Sequence, residues 1–220
     1  MPRRPRNDIG NQIYHVINRA NGRFKIFDYQ DDFKLFENVL FEARERFNIR
    51  LLAYTVMPNH FHLIANPNKD HQLSRCMQWL GTTFTQRWHA RHHTTGTGHL
   101  FQGRYKSIVV KDEGYLIRVL LYVERNALRS NLVKRAEDWR WSSLWVREHG
   151  NNDQKKSLSP WPIDTPSYYL HAINEPEALE DLEKIRAAII AGIPITEKPV
   201  LALAKGRPKR QARPKRQNIV

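Results

Sequence analysis

The sequence has one cysteine and no hydrophobic run long enough to cross a bilayer. Cys76 alone cannot form an internal disulfide or a zinc site built from several thiolates. A membrane-spanning helix needs about 20 consecutive apolar residues, and no run approaches that length. The charged N-terminus lacks the apolar core of a secretory signal. These absences predict a cytoplasmic protein without a membrane anchor.

Acidic residues are also scarce relative to basic ones. The chain has 36 Lys and Arg residues against 22 Asp and Glu residues, which gives a formal net charge of +14. Such an excess favours a polyanionic partner, because binding to phosphates releases counterions. Nucleic acid is the first candidate, and a negatively charged membrane surface is the competing one. The hydrophobic fraction of 40% is enough for a sizeable core.

Half of the net charge lies in a short C-terminal tail. Residues 205–217 carry seven positive side chains and no negative one: Lys205, Arg207, Lys209, Arg210, Arg213, Lys215 and Arg216. Gly206-Arg207-Pro208 resembles the core of an AT-hook, which enters a DNA minor groove. A nonspecific basic anchor explains the same composition. Under the first interpretation Arg207, Lys209 and Arg210 contact DNA.

Periodicity divides the chain into four parts. These are a flexible basic arm (1–10), a main domain (11–150), a C-terminal extension with a short amphipathic helix (151–204) and a disordered basic tail (205–220). In the main domain we predict strands at 12–18, 49–56, 60–66 and 105–110, and helices at 31–46, 71–91 and 113–126. The order strand, helix, strand, strand, helix, strand, helix predicts an α+β fold. An antiparallel ferredoxin-like sheet flanked by helices suits the tight connection at Pro58-Asn59.

Two histidines in the third predicted strand form a candidate metal site. Side chains at positions i and i+2 of a strand point to one face, so His60 and His62 converge while Phe61 turns into the core. Two imidazole nitrogens suit one divalent ion. The alternative is a pair of hydrogen-bonded histidines on a solvated sheet face.

A tyrosine and an asparagine share one face of the predicted helix 113–126. Tyr122 and Asn126 are four residues apart and therefore lie one turn from each other. A phenol can act as a covalent nucleophile, and an amide oxygen can bind a hard cation. Tyr115 is the rival nucleophile, although its place at the helix start favours a structural role.

Several basic and polar residues near these elements are candidates for DNA contacts. Asn18, Arg19 and Arg23 lie at or after the end of the first strand. Arg125 and Arg129 flank the end of the predicted helix 113–126, which carries Tyr122. Arg104 and Lys106 alternate with Tyr105, which is typical of phosphate contacts beside a stacking ring. Each residue taken alone is better explained as an ordinary solvated side chain, and it is the cluster that favours DNA contacts.

Four motifs together resemble one known family. They are Met57-Pro-Asn-His-Phe-His-Leu63, Gly103-Arg-Tyr-Lys-Ser107, Tyr122-Val-Glu-Arg-Asn126 and Trp139-Arg-Trp-Ser-Ser143. In order and spacing the chain resembles the REP-associated tyrosine transposases, a bacterial branch of the single-tyrosine HUH transposases. One departure is Ala127, where relatives commonly have proline.

The resemblance implies a fold, a chemistry and a partner. It implies the HUH fold, His60 and His62 as metal ligands with Asn126 as a third, and Tyr122 as the nucleophile that forms a 5′-phosphotyrosine. It favours one Mg²⁺ or Mn²⁺ ion. The implied partner is single-stranded DNA at hairpins of repetitive extragenic palindromes (REP), bound by a monomer or a homodimer.

Two other functions are consistent with the same composition. One is a regulator that binds hairpin DNA without cutting it, and the other is a rolling-circle initiator or relaxase of the wider HUH group. The joint presence of His60, His62, Tyr122 and Asn126 favours the enzyme over the regulator. The length of the chain leaves little room for the additional domains of initiators and relaxases.

Overall fold

The computed structural model of the protein describes residues 8–176 and 178–194. The strands are β1 (Ile13–Arg19), β2 (Arg50–Met57), β3 (His60–Asn66) and β4 (Lys106–Val110). The α-helices are α1 (Gln30–Arg46), α2 (Gln72–Arg91), α3 (Glu113–Glu124), α4 (Asn126–Arg129), α5 (Ser143–His149), α6 (Asn152–Lys156), α7 (Tyr169–Ala172) and α8 (Leu179–Ala191). Within the described ranges, no helix has the length and apolar character that a membrane span requires.

The four strands form one antiparallel sheet in the order β2-β3-β1-β4. This arrangement confirms the predicted α+β fold with a ferredoxin-like sheet. The central strand β1 pairs with β3 on one side and β4 on the other, so Ile17 lies opposite both His62 and Lys106. The sheet order thereby brings residues from three distant parts of the sequence into one row.

Alternation along the strands gives the sheet two different faces. The aromatic face, which carries Phe61 and Leu63 of β3, packs in one core with α1 and α2. The site face carries His60, His62 and Ile64, and its apolar part packs in a second core with α3 and α8. Because side chains alternate with period two, neighbouring residues of β3 belong to separate environments.

The tyrosine helix α3 begins and ends at identifiable residues. Asp112 caps its first turn by accepting a hydrogen bond from the backbone N–H of Gly114 at 3.0 Å. The helix ends at Glu124, two residues earlier than predicted. At Arg125 the backbone has φ −77° and ψ −5°, and the separate turn α4 starts at Asn126. The chain therefore bends slightly between the candidate nucleophile and the candidate amide ligand.

The C-terminal extension packs along the main domain over its described part. The backbone N–H of Ser159 donates to the Leu51 carbonyl at 2.8 Å, and Arg118 of α3 pairs with Asp181 of α8 at 3.1 Å. Helix α6 lies near the start of the predicted extension (151–204), and α8 matches its predicted amphipathic helix. The basic tail and residues 1–7 of the predicted arm lie outside the described residues. Asp8, the next residue, is buried and accepts a hydrogen bond from the N–H of Ser74 at 2.6 Å.

Candidate active site

His60 and His62 lie side by side on the site face of β3. Their ring centroids are 5.0 Å apart, and the rings are nearly perpendicular. The β-strand alternation that directs both imidazoles to this face turns Phe61 into the aromatic core, where it is fully buried. The pattern His-Phe-His thus gives the geometry that the sequence predicted.

A hydrogen bond fixes the tautomer of His60. Its Nδ1 lies 2.6 Å from Asn59 Oδ1, and Asn59 Nδ2 donates to the Arg23 carbonyl at 3.2 Å. The second contact sets the orientation of the amide, so its oxygen faces His60 and can only accept. His60 therefore carries its proton on Nδ1, which leaves the Nε2 lone pair available for another partner.

Burial keeps the histidines of the site neutral. Burial, together with the smaller effects of the charges of Arg19 and Arg129, lowers the pKa of His60 to about 4. Burial also lowers the pKa of His62 well below its usual value, with a smaller effect of the neighbouring His60. Neutral imidazoles are the form that binds metal ions.

The residues present fit one divalent cation. Imidazole nitrogens from His60 and His62 and the amide oxygen of Asn126 form a donor set compatible with Mn²⁺ or Mg²⁺. Asn126 is 5% exposed and lines the same cleft as the two histidines. In the described ranges there is no group of three or more His, Cys, Asp or Glu side chains suited to a metal. In this donor set the third protein ligand would be the amide oxygen of Asn126.

Tyr122 approaches the histidines from α3 of the same chain. Its ring centroid lies 5.8 Å from that of His62 in an edge-on contact. The guanidinium of Arg129 lies over the Tyr122 ring, 4.3 Å from the centroid. Tyr115, the rival candidate, is 3% exposed within the core of α3 and α8. Of the two tyrosines, only Tyr122 contacts the histidine pair.

A buried carboxylate anchors the end of the tyrosine helix. Glu124 is fully buried and accepts hydrogen bonds from the hydroxyls of Ser143 at 2.5 Å and Tyr169 at 2.8 Å. Burial raises the pKa of Glu124, and the two hydroxyls oppose this by stabilising the carboxylate. Because Tyr169 belongs to the C-terminal extension, that extension helps to hold α3 on its own domain.

The site residues line a cleft of about 760 Å³, which we call the site cleft. Its described walls are formed by Ile17, Asn18, Arg19, His60, His62, Gln102, Gly103, Arg104, Lys106, Tyr122, Asn126, Arg129, Ser130, Arg186, Ile189 and Ile190. This set contains five Arg and Lys side chains and no Asp or Glu, so the cleft attracts anions.

A second groove of about 960 Å³ adjoins the site cleft. The two share Asn18, Gln102, Gly103 and Arg104 as lining residues, and helix α2 forms the far wall of the groove. Tyr105 lines this groove rather than the site cleft. The residue is 7% exposed, and its hydroxyl forms a hydrogen bond with Ser74 Oγ at 3.2 Å. The two grooves therefore meet at these shared residues.

Other predicted DNA contacts lie away from the site cleft. Arg23 is exposed in a short 3-10 turn beyond β1 and does not line the cleft. One guanidinium nitrogen of Arg125 donates to the Ile173 carbonyl at 2.5 Å, which ties it to the C-terminal extension. Arg207, Lys209 and Arg210 fall outside the described residues.

Sequence reasoning missed several residues in and beside the site cleft, among them His15, Gln102 and Arg186. His15 of β1 is fully buried, and its Nε2 lies 2.9 Å from His62 Nδ1. Burial lowers the pKa of His15 to about 3. Gln102 and Arg186 line the site cleft from the loop before β4 and from α8. A histidine among the apolar residues of β1 was a usable signal for His15, whereas the sequence offered none for Arg186.

Three solved structures are similar to this chain to different degrees. A solved REP-associated tyrosine transposase bound to a REP hairpin superposes with a TM-score of 0.56 at 18% identity, covering 77% of this chain and 96% of that one. A candidate transposase from Deinococcus radiodurans R1 gives a TM-score of 0.40 at 19% identity, with 56% and 96% covered. The tRNA(His) guanylyltransferase of Saccharomyces cerevisiae gives 0.44 at 11% identity, with 89% and 85% covered.

The match to a family model identifies the family, whereas the solved structures show the fold alone. No curated protein matches the chain. The first of the solved structures shares the fold, so the sheet and its flanking helices are the HUH transposase fold. The model of the family described as "Transposase IS200 like" matches residues 8–126, which is more than half of the sequence. The chain therefore belongs to the IS200-like transposase family.

Proposed function

We propose that the protein is a metal-dependent single-tyrosine transposase that cleaves and rejoins single-stranded DNA beside a hairpin. The observation that carries the proposal is the meeting of Tyr122, His60 and His62, from one chain, in a cleft lined by cations. The similar solved structure is bound to a REP hairpin. This supports a hairpin of the same class as the partner of this chain.

Cleavage is a displacement at phosphorus. The hydroxyl oxygen of Tyr122 forms a bond to the scissile phosphorus and loses its proton. The bond from phosphorus to the 3′ oxygen breaks, and that oxygen takes up a proton to become a free 3′-hydroxyl. The 5′ end remains attached to the tyrosine. Attack of another 3′-hydroxyl on this phosphotyrosine rejoins DNA and restores the phenol, so the bond energy is kept and no ATP is needed.

Residues of this chain orient the phosphate and balance its charge. His60, His62 and Asn126 would hold one Mg²⁺ or Mn²⁺ ion, which supplies Lewis-acid polarisation of a non-bridging phosphate oxygen. Arg129 is the cation in contact with the Tyr122 ring. It stabilises negative charge on the phenol oxygen as the tyrosine attacks and leaves.

The remaining cations of the site cleft bind the DNA backbone. Arg19, Arg104, Lys106 and Arg186 line the cleft from β1, the loop before β4, β4 itself and α8. Phosphate contacts of this kind fix the position of a strand without reading its sequence. The second groove continues past Arg104 along α2, where we propose that the DNA flanking the cleavage site lies.

We propose further that one chain builds a complete site. Tyr122 contacts His62 of its own chain, and Glu124, Ser143 and Tyr169 fasten the tyrosine helix to the same domain. An exchange of tyrosine helices between two copies would require these buried hydrogen bonds to break. The geometry therefore favours cleavage in cis.

The function is tested with a labelled hairpin oligonucleotide that carries a single-stranded flank. In Mn²⁺ or Mg²⁺, the wild-type protein is expected to give a covalent adduct on a denaturing gel, and Tyr122→Phe none. Tyr115→Phe is the matched control on the same helix and should retain the adduct. An adduct that depends on Tyr115 overturns the nucleophile assignment. Hairpin binding by the wild-type protein without any adduct favours the non-catalytic regulator.

Mixing two inactive variants tests cleavage in cis. Tyr122→Phe and His62→Gln each damage a different part of the site. If each chain uses its own tyrosine, an equimolar mixture stays inactive. Recovery of adduct formation in the mixture would show that the tyrosine acts on the partner's histidines.

A further inference from the structure

His15 lies beneath the histidine pair and contacts two of the three central site residues. Its Nε2 is 2.9 Å from Nδ1 of His62, and the two rings stack with centroids 5.2 Å apart and planes inclined by 20°. Its ring also contacts the Tyr122 ring edge-on at 5.9 Å. These contacts arise because β1 and β3 are neighbours in the sheet and His15 sits diagonally from His62 on the site face.

The hydrogen bond between the two imidazoles has two possible directions with opposite consequences. A neutral imidazole has one N–H group and one lone pair. If His62 donates from Nδ1, its Nε2 keeps a lone pair for a cation. If His15 donates from Nε2, the proton of His62 is on Nε2, and that nitrogen cannot coordinate. Only the first direction is compatible with His62 as a metal ligand.

We propose that His15 is a positioning residue that accepts the Nδ1–H of His62 and thereby presents the Nε2 lone pair of His62 to a divalent cation. This inference rests on the proposed function, because it assumes that His62 binds a metal. Hydrogen bonds from the second nitrogen of a metal-binding histidine commonly set its tautomer and ring orientation. Nothing in the family match assigns a role to His15.

The neighbouring histidine already shows the same arrangement. His60 donates its Nδ1–H to Asn59 Oδ1, an acceptor whose orientation the Arg23 carbonyl fixes. With His15 as acceptor, both candidate ligands are held through Nδ1 and both offer Nε2. Both histidines then present the same ring nitrogen, Nε2, to one ion.

The environment of His15 argues against a purely structural role. Its nearest cross-strand partners on the site face are Ile64 and Ile108, so an apolar side chain would suit the position. Its other ring nitrogen, Nδ1, is buried without a hydrogen-bond partner among the described residues. A buried polar atom without a partner destabilises a fold. The histidine is therefore best explained by the hydrogen bond that its Nε2 makes to His62.

The tautomer of His62 is measured directly by ¹⁵N NMR of the full-length, metal-free protein at neutral pH. We expect His62 to carry its proton on Nδ1. In His15→Phe, which retains a ring but removes the acceptor, His62 is expected to shift toward the Nε2–H form that prevails in free histidine. The affinity for Mn²⁺ should then fall roughly 10- to 100-fold, and His15→Gln, whose amide oxygen can accept, should recover most of that loss.

Val16→Ala is the matched control for damage to β1. Val16 is fully buried on the aromatic face, so its truncation lowers stability while leaving the tautomer of His62 and the Mn²⁺ affinity unchanged. An Nε2–H proton on His62 in the wild-type protein overturns the proposal, and so does a folded His15→Phe variant with unchanged Mn²⁺ affinity. The wild-type measurement decides the matter even if His15→Phe does not fold.

The outcomes separate this inference from the proposed function. A His62 with Nδ1–H that binds Mn²⁺ in a protein unable to cleave DNA supports the role of His15 and contradicts the transposase chemistry. A protein that cleaves DNA with His62 in the Nε2–H form contradicts only the role of His15.

Discussion

Phe61 and His62 are neighbours on β3, yet they lie on opposite faces of the sheet and in opposite environments. Phe61 packs against Phe36 of α1 at 4.6 Å and against Phe101 at 5.9 Å between ring centroids. His62 contacts His60, His15 and Tyr122, three side chains that all carry polar atoms. Both residues are buried to nearly the same extent. Burial alone therefore does not distinguish the core from the site.

The difference lies in what burial does to the free energy on each face. On the aromatic face it removes apolar surface from water, which stabilises the fold. On the polar part of the site face it removes imidazoles from water and lowers their pKa values, which reflects a cost of desolvation. The apolar core around α3 and α8 offsets that cost. Apolar cores therefore stabilise the sheet from both faces, and the buried imidazoles lie on the site face alone.

The largest expected effects come from changing these two neighbours separately. His62→Gln should slow cleavage roughly 1,000-fold, because a Lewis acid contributes several kcal/mol and each 1.36 kcal/mol is a factor of ten. Phe61→Ala should instead lower the free energy of unfolding by about 3–5 kcal/mol through the cavity it leaves. Single-turnover cleavage and urea unfolding of both variants measure the contrast. Equal loss of stability in the two variants would contradict the division between the faces.

Two arginines on tyrosine rings provide the next comparison. Arg129 lies over Tyr122 in the site cleft, and Arg118 lies 5.1 Å from the centroid of Tyr115 in the core of α3 and α8. Arg129→Gln should slow cleavage roughly 100-fold, because it removes the positive charge that lies over the ring of the reacting Tyr122. Arg118→Gln, the control, should leave the cleavage rate within a few-fold of wild type. A similar rate loss in both variants would point to disturbance of the helix.

The buried His15 predicts a pH dependence of stability. Its pKa is lowered to about 3 in the folded protein from about 6.5 in the unfolded chain. Below pH 6.5 the unfolded chain therefore binds a proton that the folded protein does not, and stability falls as pH decreases from 6.5 toward 3. Between pH 7 and pH 5 this one group should account for about 2 kcal/mol. Urea unfolding of wild type and His15→Phe at both pH values measures it, and equal pH dependence in the two proteins would contradict the shift.

The sequence predicted the features that depend on neighbouring residues of one strand or one helix. Alternation identified the faces of β3, so His60 and His62 were predicted to converge, and spacing placed Tyr122 on the tyrosine helix. The partnership of His15 with His62 depends on β1 lying next to β3, which no single segment specifies. Arg125 was predicted near DNA from its position beside Asn126, which stays a prediction, and one nitrogen of its guanidinium binds the Ile173 carbonyl. That contact depends on how the C-terminal extension docks.

The smallest expected effect is on the salt dependence of DNA binding, and it distinguishes two positive regions of the chain, the site cleft and the basic tail. Each phosphate contact with single-stranded DNA contributes about 0.7 to the slope of log affinity against log salt concentration. Arg104→Ala, at the junction of the two grooves, should therefore reduce the slope by about 0.7. Removing residues 205–220 should reduce the slope more, since that segment carries seven positive side chains.

Arg87→Ala is the control, because Arg87 pairs with Glu42 at 2.7 Å away from both grooves. Fluorescence anisotropy with a labelled hairpin measures all three, and an unchanged slope after removal of the tail would assign phosphate binding to the cleft alone.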